Sequence, residues 1–178
     1  MAEAPELLTT DRFEGRRIGP HDLADFQAFY ADPAVMKTLS ADGRPWPPRE
    51  SEDLFRRHLA HWDRHGFGTW IFRDGPGGSF VGRAGLRQVE LAGADDIEVF
   101  YGVASDRWGN GVGTELAREI VRVGLEELRL PQLVAFTLPT NRASRRILEG
   151  CGFGRDGEIV HAGLRHLLFR LDGPAEAR

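Results

Sequence analysis

The sequence predicts an α+β fold: one domain built on a mixed central β-sheet of about six to seven strands, flanked by helices. Three observations predict it. The 178 residues suit a single hydrophobic core. Strand-like and helix-like stretches alternate so that a β-meander and a βαβ portion share one chain. The connections between the three middle strands are short enough to imply antiparallel hairpins.

The elements follow in order. The stretch "ELLTTDRFEGRRIG" reads as a strand ending at Gly19-Pro20, and a helix starts at about His21 with Leu23, Phe26, Phe29 and Tyr30 as its apolar face. "DGRPWPPRE" is a proline-rich loop, and the next helix runs from about Arg49 to His65, ended by Gly66. "GTWIFRD", residues 79–91 and residues 95–104 are strands. A helix from about Gly111 to Leu130 carries Val112, Leu116, Ile120, Val123 and Leu128 near a 3.6-residue period. "QLVAFTL" is a nearly continuous apolar strand, suited to a covered sheet position. "TNRASRRILEGCG" is a helix capped by Thr140 or Asn141. "FGRDGEIV" and "GLRHLLFRL" form a last pair of strands. The expected domain is 1–178, with its core at about 7–171 and a frayed tail over 172–178.

Composition narrows the function classes. The net charge of −4 argues against a general nucleic-acid binder. Cys151 is the single cysteine, so no internal disulfide forms and a reducing, cytoplasmic setting is expected. "MAEAPELLTT" lacks a signal-peptide pattern, and no apolar run approaches the ~20 residues a bilayer span needs. Lys37 is the only lysine, which rules out a phosphate loop of the Walker type.

The stretch "DRWGNGVGTE" (106–115) carries the chemistry. A strand end, a glycine-rich turn and a helix start bring free amides together at the positive end of a helix dipole, a geometry for holding an anion. Gly109, Gly111 and Gly113 would let phosphate oxygens approach the main chain; a tight β–α connection with glycines for packing is the plainer alternative. The dinucleotide fingerprint fits poorly, because the spacing is G-x-G-x-G and Leu116 stands where a third glycine belongs.

Here the sequence resembles the GNAT superfamily of acyl-CoA-dependent N-acyltransferases, and most nearly its branch of Rim-type ribosomal-protein N-terminal acetyltransferases. "IEVFYGVASDRWGNGVGTE" and "PTNRASRRILEGCGF" carry the resemblance, which extends from about Leu7 to Leu171. Trp108 takes the first position of the family's loop motif, with Gly111 and Gly113 as its glycines. The resemblance implies that the amides of Trp108, Gly109, Asn110, Gly111, Val112, Gly113 and Thr114 cradle the pyrophosphate of acetyl-CoA. It also implies that the strand ending near Val103 splays from its neighbour to admit the pantetheine arm, with the Val103 amide pointing at the thioester oxygen. No metal is expected.

Amine acylation needs a group to deprotonate or hold the amine, a donor for the carbonyl oxygen and a partner for the departing thiolate. Glu98, on the strand leading to Val103, is the candidate for the first task, acting through water or simply holding the amine; an exposed strand glutamate is the alternative. By alternation Glu98, Phe100 and Gly102 share one face, and Val99, Tyr101 and Val103 the other. Asn141 and Ser144 lie on one face of a helix's first turn, where they read either as site residues or as a cap and a filler. Superfamily members often have Tyr seven residues after this Asn; here it is Leu148, and the Rim-type resemblance implies that Ser144 meets the thiolate instead.

Arg142, Arg145 and Arg146 either meet cofactor phosphates or form a solvated face. Cys151 reads as a small buried residue. His58, His61 and His65 share a helix face and read chiefly as exposed, with Leu59 and Trp62 packing inward; an acceptor-side role and a metal site are the alternatives. Trp46 and Trp70 are pocket walls or packing. The expected activity is acetyl transfer from acetyl-CoA to a primary amine, a protein N-terminus or a small molecule, by direct attack in a ternary complex. The alternatives are a non-catalytic CoA-binding regulatory module and an acyltransferase using a larger acyl-CoA. The resemblance admits a homodimer; no nucleic-acid or membrane partner is expected.

Overall fold

A computed structural model describes residues 3–40 and 42–174. Its eight strands are β1 (Leu7–Thr9), β2 (Glu14–Arg17), β3 (Thr69–Arg73), β4 (Phe80–Leu91), β5 (Ala94–Val103), β6 (Gln132–Thr137), β7 (Gly154–His161) and β8 (Leu164–Asp172). They form one sheet in the order β1-β2-β3-β4-β5-β6-β8-β7. Every neighbouring pair is antiparallel except β5 and β6, which run parallel. The α+β fold with a mixed sheet is as the sequence predicts, with eight strands in place of six to seven. The extra strand arises at the start: the first predicted strand is a hairpin. Thr10 Oγ1 closes its turn, accepting from the Phe13 amide at 3.0 Å, while the Thr10 amide donates to the Phe13 carbonyl.

Helices α1 (Leu23–Ala31), α2 (Pro33–Leu39) and α3 (Pro48–His65) precede the meander. The sequence reading missed α2, a short helix whose cap is Asp32, accepting from the Ala34 amide, with Pro33 at its first position. Helix α3 turns Ser51, Phe55, His58 and Trp62 inward and ends at Gly66, whose φ of 72° suits glycine. Helix α4 (Val112–Arg122) passes into a π-helical turn at Val123–Glu127, and α5 (Arg142–Gly150) follows β6.

One core unites these layers, with Trp70, Phe72, Leu86, Leu116, Ile120 and Leu133 sealed from solvent. Strand β4 is buried continuously over Val81–Leu86, where both sheet faces are covered, and alternates beyond. The start of the predicted frayed tail is instead ordered structure. Asp172 belongs to β8, and Gly173 donates to the Pro131 carbonyl at 2.8 Å; residues 175–178 of that tail lie outside the described residues. No helix among the described residues is long and apolar enough to cross a membrane.

Candidate active site

Two sheet neighbours that part company create the site. β5 and β6 pair at Glu98 and Val134, and the ladder between them extends no further. On the other edge β5 stays zipped to β4 through Val103. The Ala104 amide donates to the Val81 carbonyl at 3.0 Å. By the alternation of an antiparallel ladder, the N–H and C=O of Val103 therefore point away from β4, across the opening toward β6. The carbonyl is occupied, accepting from the Trp108 indole at 2.9 Å. Trp108 as a whole is 44% exposed. The Val103 amide is left facing the opening.

Beyond Val103 a single 3-10 turn (Ser105–Arg107) leads to the glycine loop and α4. The first backbone bond of α4 runs from the Glu115 amide to the Gly111 carbonyl. The amides of Gly111, Val112, Gly113 and Thr114 precede it, so among the described residues they have no helical acceptor. The Trp108 amide differs, since it already bonds the Ser105 carbonyl at 3.3 Å. Gly109 and Gly111 hold φ of 79° and 73°. No atom lies within 4 Å of where a Cβ of Gly109 would stand, and at Gly111 the nearest is Arg12 Nη2 at 3.9 Å. Free donors thus face open space at a helix N-terminus, a fit for a diphosphate. Arg12 braces the loop from outside, donating to the Asn110 carbonyl and pairing with Glu115 at 2.6 Å.

Gly113 has a different reason to be glycine. A Cβ there would stand 2.8 Å from Ile147 Cδ1 and 3.6 Å from Val103 Cγ2. The missing side chain lets α4 lie close against α5 and the end of β5, which is the packing alternative raised for this loop, realised at one of its three glycines.

Glu98 is buried rather than exposed, at 3%. It stands opposite Arg87 in the β4–β5 register and accepts a very short hydrogen bond from Arg87 Nε. Burial pushes its carboxyl above the ordinary range, and Arg87, then Arg83, oppose that. The same face carries Phe100, whose ring lies 5.5 Å from that of His58, and Gly102, which sits under Phe29. Helices α1 and α3 cover this face.

Tyr101 and Val103 occupy the opposite face, with α4 and α5. Tyr101, which the sequence reading did not single out, brings its hydroxyl to Ser144: 2.9 Å from Oγ and 3.1 Å from the carbonyl. Burial raises the Tyr101 phenol, keeping it protonated. Asn141 caps α5, accepting from the Ser144 amide at 3.0 Å, and its side-chain nitrogen donates to the Thr38 carbonyl at 3.3 Å. Leu148, where a tyrosine is common, is core at 1% exposure. Glu98 and Ser144 are therefore not brought into contact; they stand on the two sides of the sheet, with the opening between β5 and β6 joining the sides.

Two of the three histidines, His58 and His61, are not exposed as expected. His58 is buried, 2.5 Å from Thr69 Oγ1, and burial holds its pKa well below the usual value. His61 Nε2 accepts from the Gln88 amide, so Nδ1 carries the proton given to the Phe67 carbonyl. Both rings are held between α3 and the sheet rather than turned to solvent. Trp70 is core, while Trp46 stacks on Tyr30 at 4.9 Å. Cys151 is half-buried with its thiol raised by burial, which suits the packing role expected for it.

A family model described as an acetyltransferase (GNAT) domain matches residues 12–154. FsC-acetyl coenzyme A-N(2)-transacetylase of Aspergillus fumigatus is 34% identical over 159 residues, 84% of this chain and 66% of that protein. The chain thus spans just under two thirds of that relative's length. The Bacillus subtilis protein YkkB is 29% identical over 150 residues, 84% of this chain and 86% of its own. Among solved structures, an acetyltransferase from Agrobacterium tumefaciens shares the fold at a TM-score of 0.80 and 24% identity, over 96% of both chains. RimL, the ribosomal L7/L12 alpha-N-protein acetyltransferase solved with coenzyme A, does so at 0.78 and 12% identity, over 96% of this chain and 100% of its own.

Proposed function

The chain belongs to the GNAT family of acetyltransferases, and from that premise we propose that it transfers the acetyl group of acetyl-CoA to a primary amine by direct attack in a ternary complex. One observation carries the reading. The sheet opens directly after Glu98, so a buried carboxylate borders a gap whose far end is the loop of free amides.

Each residue then has a task. The amides of Gly109 to Thr114 hold the diphosphate, with the Trp108 indole fixing the loop to Val103. The Val103 amide donates to the thioester oxygen as it gains charge, a contribution of about 3 kcal/mol when well placed. Glu98, its carboxyl raised by burial, takes the amine's proton directly or through water. Ser144, already bonded to Tyr101, hands a proton or a hydrogen bond to the departing thiolate, and Tyr101 can resupply it. Asn141 sets the first turn of α5 so that Ser144 faces this way. The whole chain works as one domain.

Amine and carrier thus approach from opposite faces. That supports attack by the bound amine without a covalent acyl-enzyme, in keeping with a Cys151 thiol that burial disfavours as thiolate. Thiol release from acetyl-CoA, screened against small amines and peptide N-termini, tests the reading. Calorimetric binding of the carrier with no thiol release on any amine would favour the non-catalytic module instead. Faster release from longer acyl-CoA thioesters would reassign the donor.

A further inference from the structure

Arg83 is a buried cation without a counter-charge of its own. It stands on β4 opposite Gly102, on the sheet face that carries Arg87 and Glu98. It is 8% exposed, and its guanidinium carbon lies 5.5, 5.2 and 5.2 Å from the ring centres of Phe29, Tyr30 and Phe100. Its Nε is buried with no hydrogen-bond partner among the described residues. Among the described residues the Tyr30 hydroxyl, a neutral group, is the side-chain hydrogen-bond partner of its guanidinium, and no carboxylate bonds it.

The surrounding charges do not balance it. Glu98 is the carboxylate that acts on it, and Glu98 is bonded to Arg87. His58 is kept neutral by burial, and the Tyr30 phenol beside Arg83 is kept protonated. By contrast Arg73, on β3, holds both Asp22 and Asp25. Two guanidiniums thus face one carboxylate. Aromatic rings offset part of the dehydration of a cation, but an apolar side chain of similar volume would fill this box without that cost. A charge retained in such a place points to recognition.

We propose that Arg83 receives a carboxylate carried by the acceptor, so that the amine acetylated here belongs to a small amino acid or a short peptide with a free carboxyl end. The inference rests on the assignment of Glu98 as the amine's partner. Both guanidiniums lie within 6 Å of the Phe100 ring centre, Arg83 at 5.2 Å and Arg87 at 5.8 Å. An acceptor with its amine at Glu98 would reach Arg83 past the half-buried Phe100 ring, which both arginines flank. The planar guanidinium suits a bidentate grip on the carboxylate.

The experiment pairs acceptors that differ only in the anion: free amino acids and dipeptides, their carboxyl amides, and aminoalkyl phosphates. Thiol release should give kcat/KM about tenfold or more higher for acid than for amide. In Arg83→Met the ratio should collapse toward one, with unchanged acetyl-CoA affinity and a Tm no lower than the parent's. A merely structural arginine would lower Tm and leave the ratio alone, which overturns the inference, as does a ratio near one in the parent protein. Preference for the phosphates over the acids overturns the carboxylate assignment. If no amine of any kind is acetylated, the proposed activity fails separately. The anion site is then decided by calorimetry with N-acetylated amino acids and their amides in the presence of CoA. Binding of the acids alone, lost in Arg83→Met, supports it; equal binding or none overturns it.

Discussion

Replacing Glu98 by Gln separates the chemical from the structural role of this carboxylate. The Glu98 side chain is 4% exposed and that of its partner Arg87 is 33% exposed. Removing one member of a buried pair costs about 3–5 kcal/mol, but Arg87 can turn to water and Gln can still accept from it, so about 2–3 kcal/mol is expected. For a domain of this size that lowers Tm by about 6–9 °C. Adding Arg87→Met should restore most of the loss, because the double variant leaves no orphaned charge. Turnover should behave differently. Loss of a general base costs about 10²–10⁴ in kcat/KM, and the double variant should not recover it. The deficit should be greatest near neutral pH and narrow toward pH 10, where an alkylamine is neutral without help (its pKa is about 10). Arg87→Met alone should move the acid limb of the pH profile upward, because Arg87 is the main influence opposing burial at Glu98. The assays are thermal unfolding with initial-rate thiol release from pH 6 to 10. A folded Glu98→Gln protein with the parent's kcat/KM throughout would remove Glu98 from the mechanism.

Three further expectations follow from the geometry. Gly113→Val should destabilise the protein by about 1–3 kcal/mol through the clash with Ile147, and Ile147→Ala should relieve it, read by denaturant unfolding; additive losses would refute the packing reason for this glycine. Ser144→Ala and Tyr101→Phe should each lower kcat by about 10²-fold, with less than additive effect together and little change in KM for acetyl-CoA; full additivity would deny that the hydroxyls act as a pair. His58 has its folded pKa depressed, so in the acid range the unfolded state binds the proton first. Stability is then complete above the unfolded value of about 6.5 and is lost as pH falls below it. His58→Gln should flatten that slope in pH-dependent unfolding, and an unaltered slope would assign it to other groups.

Apart from α2 and the β1–β2 hairpin, the order of elements was legible because helix periodicity, glycine stops and short hairpin loops are local signals. The site's partners were not, and the β4–β5 turn shows why. Its two residues, Ala92 and Gly93, hold φ of 51° and 82°. A two-residue turn of this kind favours Asn or Asp before Gly, and alanine at positive φ gives no such signal. Reading the second strand from 95 instead of 94 moves its register by one residue. That exchanges Arg87 for Gln88 opposite Glu98, and the ion pair disappears from view. The hairpin β1–β2 was lost similarly, since its turn depends on the Thr10 hydroxyl and on Glu115, 105 residues away at 2.6 Å. Tyr101 was within reach: alternation already placed it beside Val103, and only the distance from α5 was missing. The burial of Glu98 and Arg83 was not within reach, because nothing in β4 or β5 alone says that α1 and α3 will cover them.

The parting of β5 from β6 makes the sheet a partition with a single slot. On the proposed reading, an acceptor that enters over α1 and α3 does not pass the glycine loop that would hold the nucleotide, so the two products would leave by separate ways. Substitutions in the first three helices are then expected to retune which acceptors are admitted while carrier binding at the glycine turn stays as it was.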